Sequence, residues 1–119
     1  MNSSLLSPVE LRDLVTVALD DLKARDVIVL HVTDLTSVTD FMIVASGTSN
    51  RHVRSLVEHV RDTVKSSGQA ILGVEGEDPG EWVLVDLGDV VLHVMQPEAR
   101  GFYELERLWE GLADAETRV

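Results

Sequence analysis

The chain has 119 residues, 45% hydrophobic and 26% charged, with a formal net charge of −11. That composition fits one globular domain around a single core and excludes a disordered chain. With no cysteine, disulfides, zinc–thiolate sites and thiol nucleophiles are excluded as well.

The opening MNSSLLSPVEL lacks the basic and long apolar segments of a signal peptide, and no stretch approaches the roughly 18 apolar residues of a membrane span. A soluble, cytoplasmic protein is expected. Ser7-Pro8-Val9-Glu10 reads as a capping box with proline at the first helical position. It opens a helix to about Lys23, with Leu11, Leu14, Val15, Ala18 and Leu22 as its apolar stripe. Residues 27–32, VIVLHV, read as a strand. The turn-rich DLTSVTD follows, then a second strand, FMIVAS, at 41–46. At Gly47-Thr48-Ser49-Asn50 glycine allows an unusual backbone and Ser or Asn caps the next helix. Val53, Leu56, Val57, Val60 and Val64 mark that helix, which stops before Gly68. AILGV at 70–74 reads as a third strand and EGEDPGE as a polar loop.

EWVLVDLGDVVLHVM, residues 81–95, reads as a hairpin turning at Gly88-Asp89. Its register places Val83, Val85 and Leu87 on one face with Val90, Leu92 and Val94, an apolar set that must look into a core. The other face carries Trp82, Leu84 and Asp86 opposite Met95, His93 and Val91. That face is too apolar for plain surface: either a further helix covers it or a partner meets it. Pro97 ends the hairpin. Phe102, Leu105, Trp109 and Leu112 carry a last helix from about Glu98 to Ala113, and residues 114–119 are expected to fray. The order α-β-β-α-β-β-β-α predicts a single domain over residues 1–119 of the α/β (α+β) class, a mixed β-sheet packed by helices.

The charge is uneven. Residues 1–74 hold nine Asp/Glu and seven Lys/Arg, whereas residues 75–119 hold twelve Asp/Glu and three Arg. The C-terminal part would repel a nucleic-acid backbone and attract a basic protein; acidity that merely maintains solubility is the plainer reading. His52 and His59 lie about 10 Å apart along one helix face, too far to share a metal, and His31 and His93 have no ligand pattern beside them. The turn at 47–54 offers helix-start N–H groups with Arg51 and Arg54 close by. It is either an anion cradle or an ordinary capped helix, and it matches no nucleotide fingerprint. Arg51, Arg54, Arg61 and Lys65 interleave with Glu58 and Asp62 as a solvated helix face. No catalytic constellation is present. On the last helix Tyr103, Glu106 and Arg107 fall outside the apolar stripe, and Tyr, Trp and Arg are residue types that anchor protein interfaces.

Three blocks, TSVTDFMIVASGTSNRHVRSL, GEWVLVDLGDVVLHVM and PEARGFYELERLW, resemble in this order the signature of the ribosomal silencing factor (RsfS, Iojap-like) family. The resemblance runs from about Leu14 to Trp109. Phe41-Met42 stands where the family has an aromatic pair, and Met95 where it has an aromatic. The resemblance implies a nucleotidyltransferase-like fold without that fold's metal carboxylates, no catalysis, no cofactor and no metal. It also implies a translation repressor that binds large-subunit ribosomal protein fourteen and sterically blocks joining of the ribosomal subunits under nutrient limitation, and that also restrains ribosome assembly. Family members are often homodimers.

Carried over by position, the partner-binding residues are Trp82, Leu84 and Asp86 from the hairpin, with Tyr103, Glu106 and Arg107 from the last helix. Trp82 and Tyr103 would anchor, while Asp86 and Glu106 would pair with basic residues. Neither membrane binding nor direct sequence-specific nucleic-acid binding is expected. The alternative from another class is a nucleotide-binding or nucleotidyl-transferring enzyme using the turn from Gly47 to Arg54.

Overall fold

The computed structural model describes residues 6–33, 39–77, 80–97 and, for the backbone, 115–118. In chain order these form helix α1 (Pro8–Asp21), strands β1 (Arg25–His31) and β2 (Phe41–Ser46), and helix α2 (Asn50–Ser66). Strands β3 (Gly73–Glu75), β4 (Trp82–Asp86), β5 (Val90–Met95) and β6 (Ala115–Arg118) follow.

Both helices begin at side-chain caps. Ser7 Oγ accepts from the Glu10 N–H at 3.1 Å while the Ser7 N–H donates back to Glu10 Oε1 at 2.9 Å, the reciprocal pair of a capping box. Ser49 Oγ accepts from the His52 N–H at 3.0 Å. Both helices also end alike. Ala24 N–H reaches the Leu19 carbonyl and Lys23 N–H that of Asp20; Gln69 N–H reaches Val64 and Gly68 N–H reaches Lys65. These are paired closing bonds of the Schellman type, which need one left-handed residue. In α2 that residue is Gly68, with φ 89°; in α1 it is Lys23, with φ 61°. Lacking a glycine to mark the stop, the sequence pattern runs on to Lys23, whereas the helix closes at Asp21. The buried stripe accordingly finishes on Leu19, and Leu22 is 37% exposed.

A mixed sheet of five strands, ordered β3-β4-β5-β2-β1, forms the second layer, and β6 adds a sixth at the β1 edge. β2 and β5 are parallel. All other pairs are antiparallel. The hairpin register is the predicted one: Trp82 opposes Met95, Leu84 opposes His93 and Asp86 opposes Val91. β1 starts earlier than predicted, with a register shift between Arg25 and Ile28 around Asp26, whose φ is 50°. β3 is shorter than the predicted 70–74, although the Leu72 N–H already reaches the Asp86 carbonyl at 2.8 Å.

The expectation that 114–119 fray is corrected at 115–118. Those residues pair with β1, Ile28 opposite Arg118 and Leu30 opposite Ala115, and so engage backbone groups that an edge strand leaves open. The predicted helix from Glu98 to Ala113 lies outside the described residues. No helix among the described residues is long and apolar enough to cross a membrane.

α1 and α2 pack on each other and on one face of the sheet. Val53, Leu56, Val57, Val60 and Val64 of α2 are all buried, as the periodicity predicts. They meet Phe41, Ile43 and Ala45 of β2 together with the Val83, Val85, Leu87, Val90, Leu92, Val94 face of the hairpin. The opposite face of the sheet carries a second buried cluster: Ile28, Leu30, Val32, Met42, Val44 and Met95, with Trp82 packed against it.

Lys23 holds a conformation that costs an L-residue with a β-carbon roughly 1–2 kcal/mol. Lys23→Gly should therefore stabilise the fold by about 0.5–1 kcal/mol after glycine's greater unfolded-state entropy is deducted. Urea unfolding would show a higher midpoint at unchanged slope; a lower midpoint would contradict strain at this position.

Candidate functional site

The hairpin is held by its turn. Gly88 sits at φ 88°, where a side chain would be strained. The Gly88 N–H donates to Asp86 Oδ1 at 2.9 Å, and the Leu87 N–H closes on the Val90 carbonyl at 2.9 Å. Asp86, a sequence-predicted contact residue, thus also shapes the turn. Its carboxylate has lone pairs beyond the one this bond engages.

Trp82, Leu84 and Asp86 are all half-buried on the face away from α1 and α2. Their cross-strand neighbours Met95 and His93 are buried. Trp82 lies diagonally across from His93 in the register, within reach of a large ring. Its Nε1–H donates to His93 Nδ1 at 3.0 Å, with ring centroids 5.9 Å apart at 43°. The bond requires the imidazole to be neutral at Nδ1. Burial acts in the same direction, lowering the His93 pKa from 6.5 to about 4. Trp82 is therefore a fixed platform, its polar atom already engaged inside the fold. Sequence reasoning placed both residues on one face and missed the bond between them: the diagonal spacing puts the rings within reach, but only the burial set by the fold makes the imidazole an acceptor. Tyr103, Glu106 and Arg107 lie outside the described residues, so the structure brings together three of the six predicted contact residues and leaves the other three undescribed.

The turn from β2 into α2 spends its donors on the fold. Gly47 is required by close approach: a β-carbon there would sit 2.8 Å from Val53 Cγ2 and 2.9 Å from Val53 N. The Gly47 N–H donates to the Met95 carbonyl at 2.9 Å. The Thr48 N–H donates to His52 Nδ1 at 2.8 Å, and His52 Nε2 reaches the Leu22 carbonyl at 2.8 Å. With Nδ1 accepting, Nε2 carries the proton, and His52 ties the start of α2 to the end of α1. Two N–H groups of an anion cradle are thereby occupied, which favours the capped helix over the nucleotide-binding alternative.

The other histidines also have structural partners: His31 stacks on Phe41 at 4.7 Å, and His59 Nε2 lies 3.0 Å from Asp21 Oδ2. Among the described residues no cluster of three or more His, Asp or Glu side chains is arranged to hold a metal ion. Along the exposed side of α2, an open groove of about 650 Å³ is lined by Arg51, Arg54, Ser55, Glu58, Arg61 and Glu77.

Fold and face together define a small α+β domain that offers a sheet surface and a charged helix groove. The chain matches the family described as ribosomal silencing factor during starvation over residues 6–119. It is 49% identical over 102 residues to the ribosomal silencing factor RsfS of Chromobacterium violaceum, covering 86% of this chain and 84% of that one. A crystal structure of a Chromobacterium violaceum protein superposes with a TM-score of 0.87 at 47% identity, covering 88% of each chain. A mouse protein named mitochondrial assembly of ribosomal large subunit protein 1 is 38% identical over 89 residues, 72% of this chain but 39% of the mouse protein. The chain belongs to the ribosomal silencing factor family.

The buried imidazole makes stability pH-dependent. Because the unfolded chain takes up the His93 proton near pH 6.5 and the folded protein only near 4, the stabilisation is complete above 6.5 and is lost as pH falls through that window. The full loss is about 3 kcal/mol. In urea unfolding at pH 7 and pH 4.5, wild type should lose about 2–3 kcal/mol more than His93→Gln, which keeps an acceptor for the indole but does not titrate. Equal losses would show that the ring is not held neutral.

Proposed function

We propose that the protein binds the large ribosomal subunit through large-subunit ribosomal protein fourteen and silences translation by sterically blocking the small subunit from joining. The observation that carries this reading is the hairpin face. Within a chain of the silencing family, β4 holds a half-buried Trp82 with its Nε1–H bonded to His93, Leu84 beside it and Asp86 at the turn. An aromatic whose polar atom is already satisfied loses little rotamer freedom on binding, which suits an anchor. The surrounding sequence, 75–119, carries twelve acidic and three basic residues, a field that attracts a basic ribosomal protein. A relative named for assembly of the large ribosomal subunit supports the choice of subunit. Tyr103, Glu106 and Arg107 would complete the contact from the adjoining segment. Cytoplasmic location follows from the same reading, and a homodimer using the hairpin face would compete with ribosome binding.

Co-sedimentation with purified large subunits tests the proposal. Wild type should pellet at low salt and less at high salt, because steering weakens as screening lengths shrink. Trp82→Ala should weaken pelleting by roughly fivefold or more. Leu84→Lys, which leaves the indole–imidazole bond in place, should also weaken it. Added to both subunits, the protein should lower the fraction sedimenting as joined ribosomes. No pelleting at low salt would sink the reading.

A further inference from the structure

The chain is acidic overall, yet α2 is locally the reverse. Between Asn50 and Ser66 it holds four basic residues and two acidic ones. Its apolar stripe faces the core, which leaves the arginines along the opposite side, where the groove lies. Arg51 and Arg54 lie one turn apart and Arg61 about two turns further along the same side, together spanning about 15 Å at the helical rise.

The groove has a built wall. Arg61 Nη1 pairs with Glu77 Oε2 at 3.1 Å, and Arg54 Nε donates to the Glu77 carbonyl at 3.3 Å. The backbone at Gly80 sits against Arg54, where an added β-carbon would lie 3.3 Å from Nε. Two guanidiniums are therefore held in place by the β3–β4 connection. Arg51, exposed at the first turn of α2, makes no ion pair or hydrogen bond among the described residues. Ser55 adds a hydroxyl between them. A guanidinium row of this kind matches phosphate oxygens, which accept its planar fork two bonds at a time.

The geometry points to this groove as a contact for the RNA phosphate backbone of the large subunit, made in addition to the protein contact of the hairpin face. The inference rests on the large-subunit reading. Glu58 and Glu77 keep the local charge modest, so the groove is weak toward bulk RNA; it gains its ligand through the high effective concentration that follows hairpin docking. Most of the chain's acidity lies in residues 75–119; of these Glu77 reaches the groove, where its carboxylate is paired with Arg61.

Because the chain has no cysteine, Arg51→Cys places one thiol at the groove for a photo-crosslinker. Irradiation of the pelleted large-subunit complex should yield adducts to ribosomal RNA. Adducts to ribosomal proteins alone, or none from a complex that pellets, would overturn the inference. In parallel, Arg51→Glu should weaken large-subunit binding about three- to tenfold at low salt and lower the slope of log affinity against log salt by about one. Wild-type behaviour of Arg51→Glu would overturn the RNA contact and leave the hairpin reading intact. Failure of wild type itself to pellet would overturn both, and only that result touches the hairpin reading.

Discussion

The sheet depends on β2 and β5 lying parallel and adjacent, in register from Phe41 beside Val90 to Ser46 beside Met95. Parallel neighbours cannot be joined by a tight turn, so the chain must leave β2, cross the sheet and return. Gly47 makes the departure possible, because any side chain there would strike Val53 at the start of α2. Its N–H continues the ladder by one bond to Met95 before the backbone turns away. With β2 central, both of its faces are covered and all six of its residues are buried, which is why FMIVAS is an apolar run without alternation. The position of β5 then fixes β4 through the hairpin, and with it the face that carries Trp82.

The parts of this architecture that were legible in the sequence are those set by local chemistry. Capping residues at Ser7 and Ser49, the α2 stripe and the Gly88-Asp89 turn each determine their own geometry, and the hairpin register follows from the turn alone. What was hidden depends on distant partners or on residues used against type. Lys23 closes α1 in a conformation normally left to glycine, so the stop carried no signal and Leu22 stood in for Leu19. Residues 115–118 have no strong strand pattern, and they pair because β1 offers an open edge. His52 was visible as a helix residue, but its bond to Leu22 spans thirty positions. For the candidate site, the face and its three hairpin residues were readable. The bond that locks Trp82 was not, because it depends on a diagonal pair whose burial only the fold sets.

That bond changes what kind of surface the hairpin offers. A free indole carries an N–H that a partner must satisfy or bury at a cost of about 1–3 kcal/mol. Here the imidazole already accepts it, and burial keeps the imidazole able to do so. The face can therefore be read by shape and apolar contact, with acidic charge at its edge from Asp86 and from Glu75, which lies opposite Leu84 on β3. Asp86 is itself tied to the turn, so it and the indole are positioned before any partner arrives and little ordering remains to oppose association.

Net charge is a poor guide to what such a domain can touch. At a separation of several Debye lengths, each about 8 Å at physiological salt, a polyanion feels little of the domain; at contact it feels only the nearest side chains. On the proposed reading, an acidic segment that favours a basic protein and an arginine-lined groove that favours phosphate serve different distances and different neighbours. The large subunit presents both kinds of surface side by side. A uniformly basic domain would bind RNA indiscriminately, and a uniformly acidic one would be pushed off the subunit. Carrying an acid-bearing hairpin face and an arginine-lined groove on one rigid α+β frame lets the protein contact select the site while the helix groove adds affinity only after docking.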